Sequence, residues 1–200
     1  MTLLRTKRRK ERGAALVEAA FVTPVFFLLI FGILEMGLLY RDSLTNTNAT
    51  KEGARAASVN GTNSDADFLI LRSVNHGIEP IGLTNLDMVV VFKASGPGDE
   101  VPEECKTSAQ PGTCNRYTRS DFFRPIRTAG GDATGNFGCS AGVSVDRHWC
   151  PASRNTRLGE SEYVGVYIQS RHDYITGFFG ASTTLHDTTI IRLEPTEYGS

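Results

Sequence analysis

Glu18 and Glu35 are the only charged side chains between Ala14 and Tyr40, a run of 27 otherwise apolar or small residues. A carboxylate is costly in hydrocarbon unless a cation, a set of N–H donors or headgroup water meets it. The Gly13–Ala14 bond lies one helical turn before Glu18. Hydrolysis there would leave an ammonium on Ala14, at the head of an apolar helix, where it could neutralise Glu18 of its own or a neighbouring chain. The first turns of a helix also offer Glu18 the positive end of the macrodipole. The competing reading places Glu18 in the headgroup layer as an interfacial charge. Glu35 stands 17 residues further on, roughly 25 Å along a helix axis. It reads either as a snorkelling carboxylate at the outer interface or as a contact to a neighbouring helix in an assembly.

The four cysteines are the second candidate chemistry. Cys105, Cys114, Cys139 and Cys150 all follow the apolar run. An even count in an oxidising compartment points to two disulfides, with three possible connectivities. The preferred one, 105–114 with 139–150, closes short loops. A zinc site using His148 beside Cys150 is the alternative, but no C-x-x-C spacing supports it. The chain has no P-loop, no G-x-S-x-G and no H-E-x-x-H. His172-Asp173 and His186-Asp187 are adjacent on strands, so each pair points to opposite faces and makes no dyad. The expectation is a protein that is not an enzyme, with no cofactor, no metal and no small-molecule substrate.

The apolar run must be positioned by an element long enough to hold it. As an α-helix it would be roughly 40 Å long, more than the ~30 Å hydrocarbon core of a bilayer. It outlasts the ~7–15-residue core of a cleaved secretory signal and ends without an A-x-A-like site. Residues 1–13 carry six basic groups and one acid, while the remainder holds 15 basic and 21 acidic residues. Basic residues beside a span stay in the cytoplasm, which puts the N-terminus inside and the C-terminus outside. No base-reading module accompanies the basic run, so it is read as a topology signal and no nucleic-acid partner is expected. Pro24 lacks an N–H and crowds the preceding turn, so a kink is expected there, with Thr23 satisfying part of the freed backbone.

Three stretches taken together resemble the TadE-like family of tight-adherence pilus-assembly pseudopilins. They are Arg12-Gly13-Ala14-Ala15-Leu16-Val17-Glu18, then Phe31-Gly32-Ile33-Leu34-Glu35-Met36-Gly37, then Asn48-Ala49-Thr50-Lys51-Glu52-Gly53-Ala54-Arg55-Ala56-Ala57. Ile190 to Pro195 adds a weaker likeness to how such proteins end. The resemblance implies cleavage between Gly13 and Ala14 by a prepilin peptidase, an aspartyl protease at the cytoplasmic membrane face. It implies a structural or assembly subunit of a type IV (Tad/Flp) pilus system that serves cell adhesion. Its partners would be the peptidase, other pilins and pseudopilins, the tight-adherence secretion machinery and the membrane. The location implied is the bacterial cytoplasmic membrane, as a single-pass protein, or the surface pilus itself. An uncleaved single-pass protein whose outer domain binds a cell-envelope partner is the alternative, and an exported, anchored enzyme a third.

The fold class expected is α+β. A long N-terminal transmembrane and stalk helix precedes a small antiparallel-sheet extracytoplasmic domain with a disulfide-bearing insert. The segments are a basic prepilin-type leader (1–13), the transmembrane helix (14–40), a stalk continuing it (41–62) and the outer domain (63–200), with 95–160 as the insert. Asn46-Thr47-Asn48 is a possible weak point, because such side chains compete for helix backbone. A second helix is expected from Ser64 to Gly77, with Asp67 completing a partial capping box and Phe68, Leu71 and Val74 facing the core. Strands are expected at 87–93, 163–170 and 183–193, giving a sheet with one apolar face that a helix must cover. In the insert, Phe122, Phe123 and Trp149 read as local core or as surface anchors.

Overall fold

The computed structural model describes residues 7–123, 136–140 and 144–195. One helix dominates it. Helix α1 runs unbroken from Lys7 to Asn60, through Pro24 and through Asn46–Asn48. At 1.5 Å per residue it is roughly 80 Å long. Its two halves differ in their surroundings. The apolar part of α1 has no buried residue in its most hydrophobic window, whereas Ala49, Ala54 and Ala57 in the second half are fully buried.

After α1 come helix α2 (Ala66–Gly77) and strand β1 (Leu86–Ala94). Short helix α3 (Glu103–Thr107), strand β2 (Cys114–Thr118) and short helix α4 (Arg119–Phe123) follow. Strands β3 (Tyr163–Asp173) and β4 (Ser182–Arg192) form the final hairpin. The sheet is antiparallel throughout, in the order β2-β1-β3-β4. The α+β expectation therefore holds, with an added edge strand: β2 lies inside the insert. Its five residues include Asn115, Arg116 and Thr118, too short and polar a stretch to show a period of two.

α1 and α2 cover one face of the sheet. Phe68, Ile70, Leu71 and Val74 of α2 meet Val89, Val91, Val164, Val166 and Ile168 of the strands, with Ala49, Ala54 and Ala57 of α1 beneath. The approach is close because the helices meet through residues with little or no side chain. A Cβ added at Gly77 would come within 2.8 Å of the Ala49 Cα, and one at Gly53 within 2.7 Å of Val74 Cγ2. Any larger residue would push the helices apart.

The expectation of a single apolar face is corrected. Val90, Phe92 and Tyr167 form a second core on the far face, with Val101 and the Cys105–Cys114 disulfide over them. β1 is apolar on both sides, as a strand covered on both faces should be, and part of the insert provides the second cover.

The insert is held by two disulfides, Cys105–Cys114 and Cys139–Cys150. Loops closed over 9 and 11 residues each contribute about 2.5–3 kcal/mol in the chain-entropy picture. All four sulfurs are thus committed, and none is a free thiolate for a metal. Cys139 adopts a left-handed φ of 63°. Asp146 steadies that turn by accepting the Gly138 and Cys139 N–H groups at 2.8 and 3.1 Å. Trp149 belongs to the main core, 3% exposed. Residues 124–135 and 141–143 of the insert, with the side chains of Phe122, Phe123 and the basic leader as far as Arg12, lie outside the described residues.

Asp67 does not complete a capping box. α2 begins without a side-chain cap, and the Asp67 carboxylate turns inward. It accepts Tyr117 Oη at 2.5 Å, Asn115 Nδ2 at 2.8 Å and Arg154 Nη2 at 2.5 Å. Asn115 also bonds the Trp149 backbone in both directions, and the Arg154 guanidinium lies 4.2 Å from the Trp149 ring centroid. Three buried polar residues from the insert thus converge on one buried carboxylate of α2.

Candidate functional site: the N-terminal helix

The residues singled out by chemistry sit on α1 in two different settings. Gly13, Ala14 and Glu18 are exposed, on a part of the helix that none of the other described residues buries. Apart from the helix's own backbone, no atom lies within 4 Å of a Cβ built on Gly13. No other described part of the fold covers the Gly13–Ala14 bond, which lies within the helix. Pro24 is likewise exposed. Around it Leu16, Phe21, Val22, Val25, Leu29 and Ile33 present their side chains outward. A soluble domain does not leave so continuous an apolar surface uncovered. One helix here is long and apolar enough to cross a membrane.

Glu35 is different. It is 2% exposed and bonded within its own chain. Its carboxylate accepts the backbone N–H of Ile175 at 2.6 Å and of Thr176 at 3.3 Å. Both amides belong to the loop between β3 and β4. Two N–H donors stand in for the water that the apolar run denies the carboxylate, and they come from a segment 140 residues away.

Glu35 opens a polar stripe that sequence reasoning missed. Asp42 pairs with His172 Nδ1 at 2.7 Å on β3. Asn46 reaches the Ile168 carbonyl at 3.5 Å and accepts from Ser170 Oγ at 3.4 Å. Thr50 donates to Asp187 Oδ2 at 2.7 Å on β4. Ser58 donates to the Arg192 carbonyl at 2.9 Å. Residues 35, 42, 46 and 50 are spaced by seven, four and four, which is one face of a helix. The polar residues expected to weaken the helix at 46–48 are in part its fastening to the sheet. The signal in the sequence is a helical periodicity among polar residues, at 35, 42, 46 and 50.

The His–Asp geometry is therefore His172 with Asp42, across elements, and not the adjacent pair in sequence. Buried against the sheet, the pair holds α1 in place. No group of three or more metal-suited side chains occurs among the described residues.

The exposed half of α1, its glycine–alanine start and its small-residue continuation form one uninterrupted element. Residues 13–55 are similar to the TadE-like family. They match the family model described as TadE-like protein over that span, which takes in Gly13, Glu18, Pro24, Glu35 and the docking stripe as far as Thr50. The TadE-like match links the chain to tight-adherence pilus assembly, and with the long apolar helix it indicates membrane anchoring and contact with other pilus components. Comparison with curated proteins and with solved structures gives no match. The match ends at 55, within α1, so the sheet domain lies beyond it.

The Glu35 contact yields a direct prediction. Glu35→Ala leaves the Ile175 and Thr176 amides without their acceptor, and a bond to a charged group contributes about 1.5–3 kcal/mol. Hydrogen exchange of the full chain in micelles should then speed up in the 174–181 loop by roughly 10- to 100-fold, with β1 unchanged. Unaltered exchange in that loop would show the carboxylate to be dispensable.

Proposed function

We propose that the chain is a pseudopilin-like structural or assembly subunit of a tight-adherence pilus system. It is made as a precursor and matured by a prepilin peptidase that cuts between Gly13 and Ala14. The observation carrying this reading is the TadE-like match over a helix whose first half is exposed and apolar while its second half is bolted to a folded domain. The exposed half holds the protein in the membrane and packs among other pilin helices. The leader stays inside and the sheet domain outside. The chain is a substrate of the peptidase and not itself an enzyme.

Glu18 has a defined part in this scheme. Cleavage creates the Ala14 ammonium one turn away on the same helix face. A carboxylate and an ammonium paired at the head of the span lower the cost of both in a membrane, within one chain or between two neighbours.

The test is the N-terminus of the protein recovered from cells with an active prepilin peptidase, read by terminal sequencing or intact mass. A chain beginning at Ala14 is expected. A chain retaining the basic leader would leave a permanent single-pass anchor with an outer binding domain as the better account.

A further inference from the structure

The loop joining β3 to β4, residues 174–181, is apolar at its tip. Ile175 is 76% exposed, Phe178 62% and Phe179 50%. Among the described residues these are three of the four large apolar side chains that stand exposed outside α1, the fourth being Leu158. Gly177 and Gly180 take left-handed φ values of 72° and 106°, which turn the chain while the side chains between them face outward.

The position of the tip decides what it meets. Ile175 and Thr176 are bonded to Glu35, so the tip lies against α1 at that level. From Leu16 to Glu35 is about 30 Å of helix, the thickness of a hydrocarbon core. Tyr40 and Arg41, both exposed, follow roughly 7–9 Å further along the axis. An aromatic beside a basic residue is the usual anchor of a span at the headgroup layer. The tip therefore sits on the membrane side of Tyr40, level with the edge of the apolar surface of α1.

Five of the eight amides of the 174–181 loop are paired, which lowers the cost of placing it near hydrocarbon. The Tyr174 N–H bonds the Ala181 carbonyl at 3.0 Å, and the Gly180 N–H the Gly177 carbonyl at 3.3 Å. The Phe178 N–H bonds Thr176 Oγ1 at 3.4 Å. Tyr174, half-buried, packs its ring 6.0 Å from that of Phe179 at a tilt of 47°. The charged Arg171–Asp173 pair begins only on the strand above.

We infer that the β3–β4 tip is a second membrane contact: Ile175, Phe178 and Phe179 enter the outer leaflet beside α1, and Glu35 clamps the loop to the helix at that depth. The sheet domain, already fixed to α1 by their shared core, is then held to the bilayer at two points, which sets its tilt to the membrane plane as a single span could not. This rests on α1 being the membrane span, and the test separates the two claims.

The full chain is reconstituted into vesicles of phosphatidylcholine and phosphatidylglycerol whose acyl chains carry bromine either near the carbonyl or near the methyl end. Three tryptophan variants are compared. Leu28→Trp reports the middle of the span, Phe178→Trp the tip, and Leu158→Trp the other end of the sheet, roughly 30 Å away along β3. Buried Trp149 gives the same background in all three. Phe178→Trp is expected to lose emission with the shallow bromines, Leu28→Trp with the deep ones, and Leu158→Trp with neither. Phe179→Trp repeats the tip measurement should the first variant misfold. Quenching at Leu28→Trp with none at either tip position overturns the inference and leaves the span standing. No quenching at any position removes both. Tip emission shielded from aqueous acrylamide yet untouched by bromine would place a second copy of the chain on the tip, and also overturns it.

Discussion

A Gly13→Leu chain is expected to accumulate as uncut precursor, with its basic leader attached, in cells that process the parent chain. A protease must draw its substrate into an extended strand across its active site, and in this chain the bond proposed for cleavage lies inside a helix. Glycine makes that stretch easier to unwind, by about 1 kcal/mol relative to alanine. It also offers the enzyme a backbone with no Cβ in the way. Leucine reverses both effects. The change meets no tertiary contact among the described residues, because apart from the helix's own backbone no atom lies within 4 Å of a Cβ at residue 13. A loss of processing is thus assignable to recognition and not to misfolding. Gly13→Ala separates the two causes: it restores helix propensity while adding only one methyl group. Immunoblots resolving precursor from mature chain read the result. Normal maturation of the leucine variant would remove Gly13 from the processing site.

Asp67→Ala is expected to be the most damaging single change in the outer domain. It would lower stability by about 3–5 kcal/mol, the usual cost of breaking a buried ion pair from one side. For a chain of this size each kcal/mol shifts Tm by roughly 2–4 °C, so the fall should be roughly 6–20 °C. Arg154 and Asp67 have fully buried side chains. Without the carboxylate the guanidinium is left charged in the core, and Tyr117 and Asn115 each lose an acceptor. Asp67→Asn keeps an acceptor without the charge and should fall between. Thermal unfolding of the full chain in micelles, followed by near-ultraviolet circular dichroism, measures the loss. A drop below about 1 kcal/mol would mean that water or a local rearrangement replaces the carboxylate.

The same cluster has a pH signature. Burial, then the facing Asp67 carboxylate, hold the Tyr117 phenol well above the ordinary tyrosine range. A raised folded pKa means that the unfolded chain ionises first. The contribution from Tyr117 is therefore complete below pH about 10 and is lost as pH rises beyond it. The contribution of Tyr117 is constant through neutral pH.

The strongest regularities of this fold are local, and local regularities are legible in a chain. The apolar run from Ala14, the helix that follows it, the buried face of α2 and three of the four strands all announce themselves through periodicity or composition. The short loops favoured the disulfide pairing that the structure contains. What the chain could not display was where long-range partners come from. Glu35 looked like a problem for a membrane or for a neighbouring helix. Its solution lies in two amides some 140 residues later, and no local pattern links them. Asp67 looked like a cap because the capping rule sees three residues ahead, while its partners are 48, 50 and 87 residues away. The insert looked shapeless because its order comes from crosslinks, a five-residue edge strand and the closing of a second core, none of which has a period. Sequence alone determined that a membrane-length helix carries a cysteine-bearing α+β domain. Tertiary structure decided which of its polar residues fasten that domain, because a buried polar group is stable only beside a partner, and the fold chooses the partner.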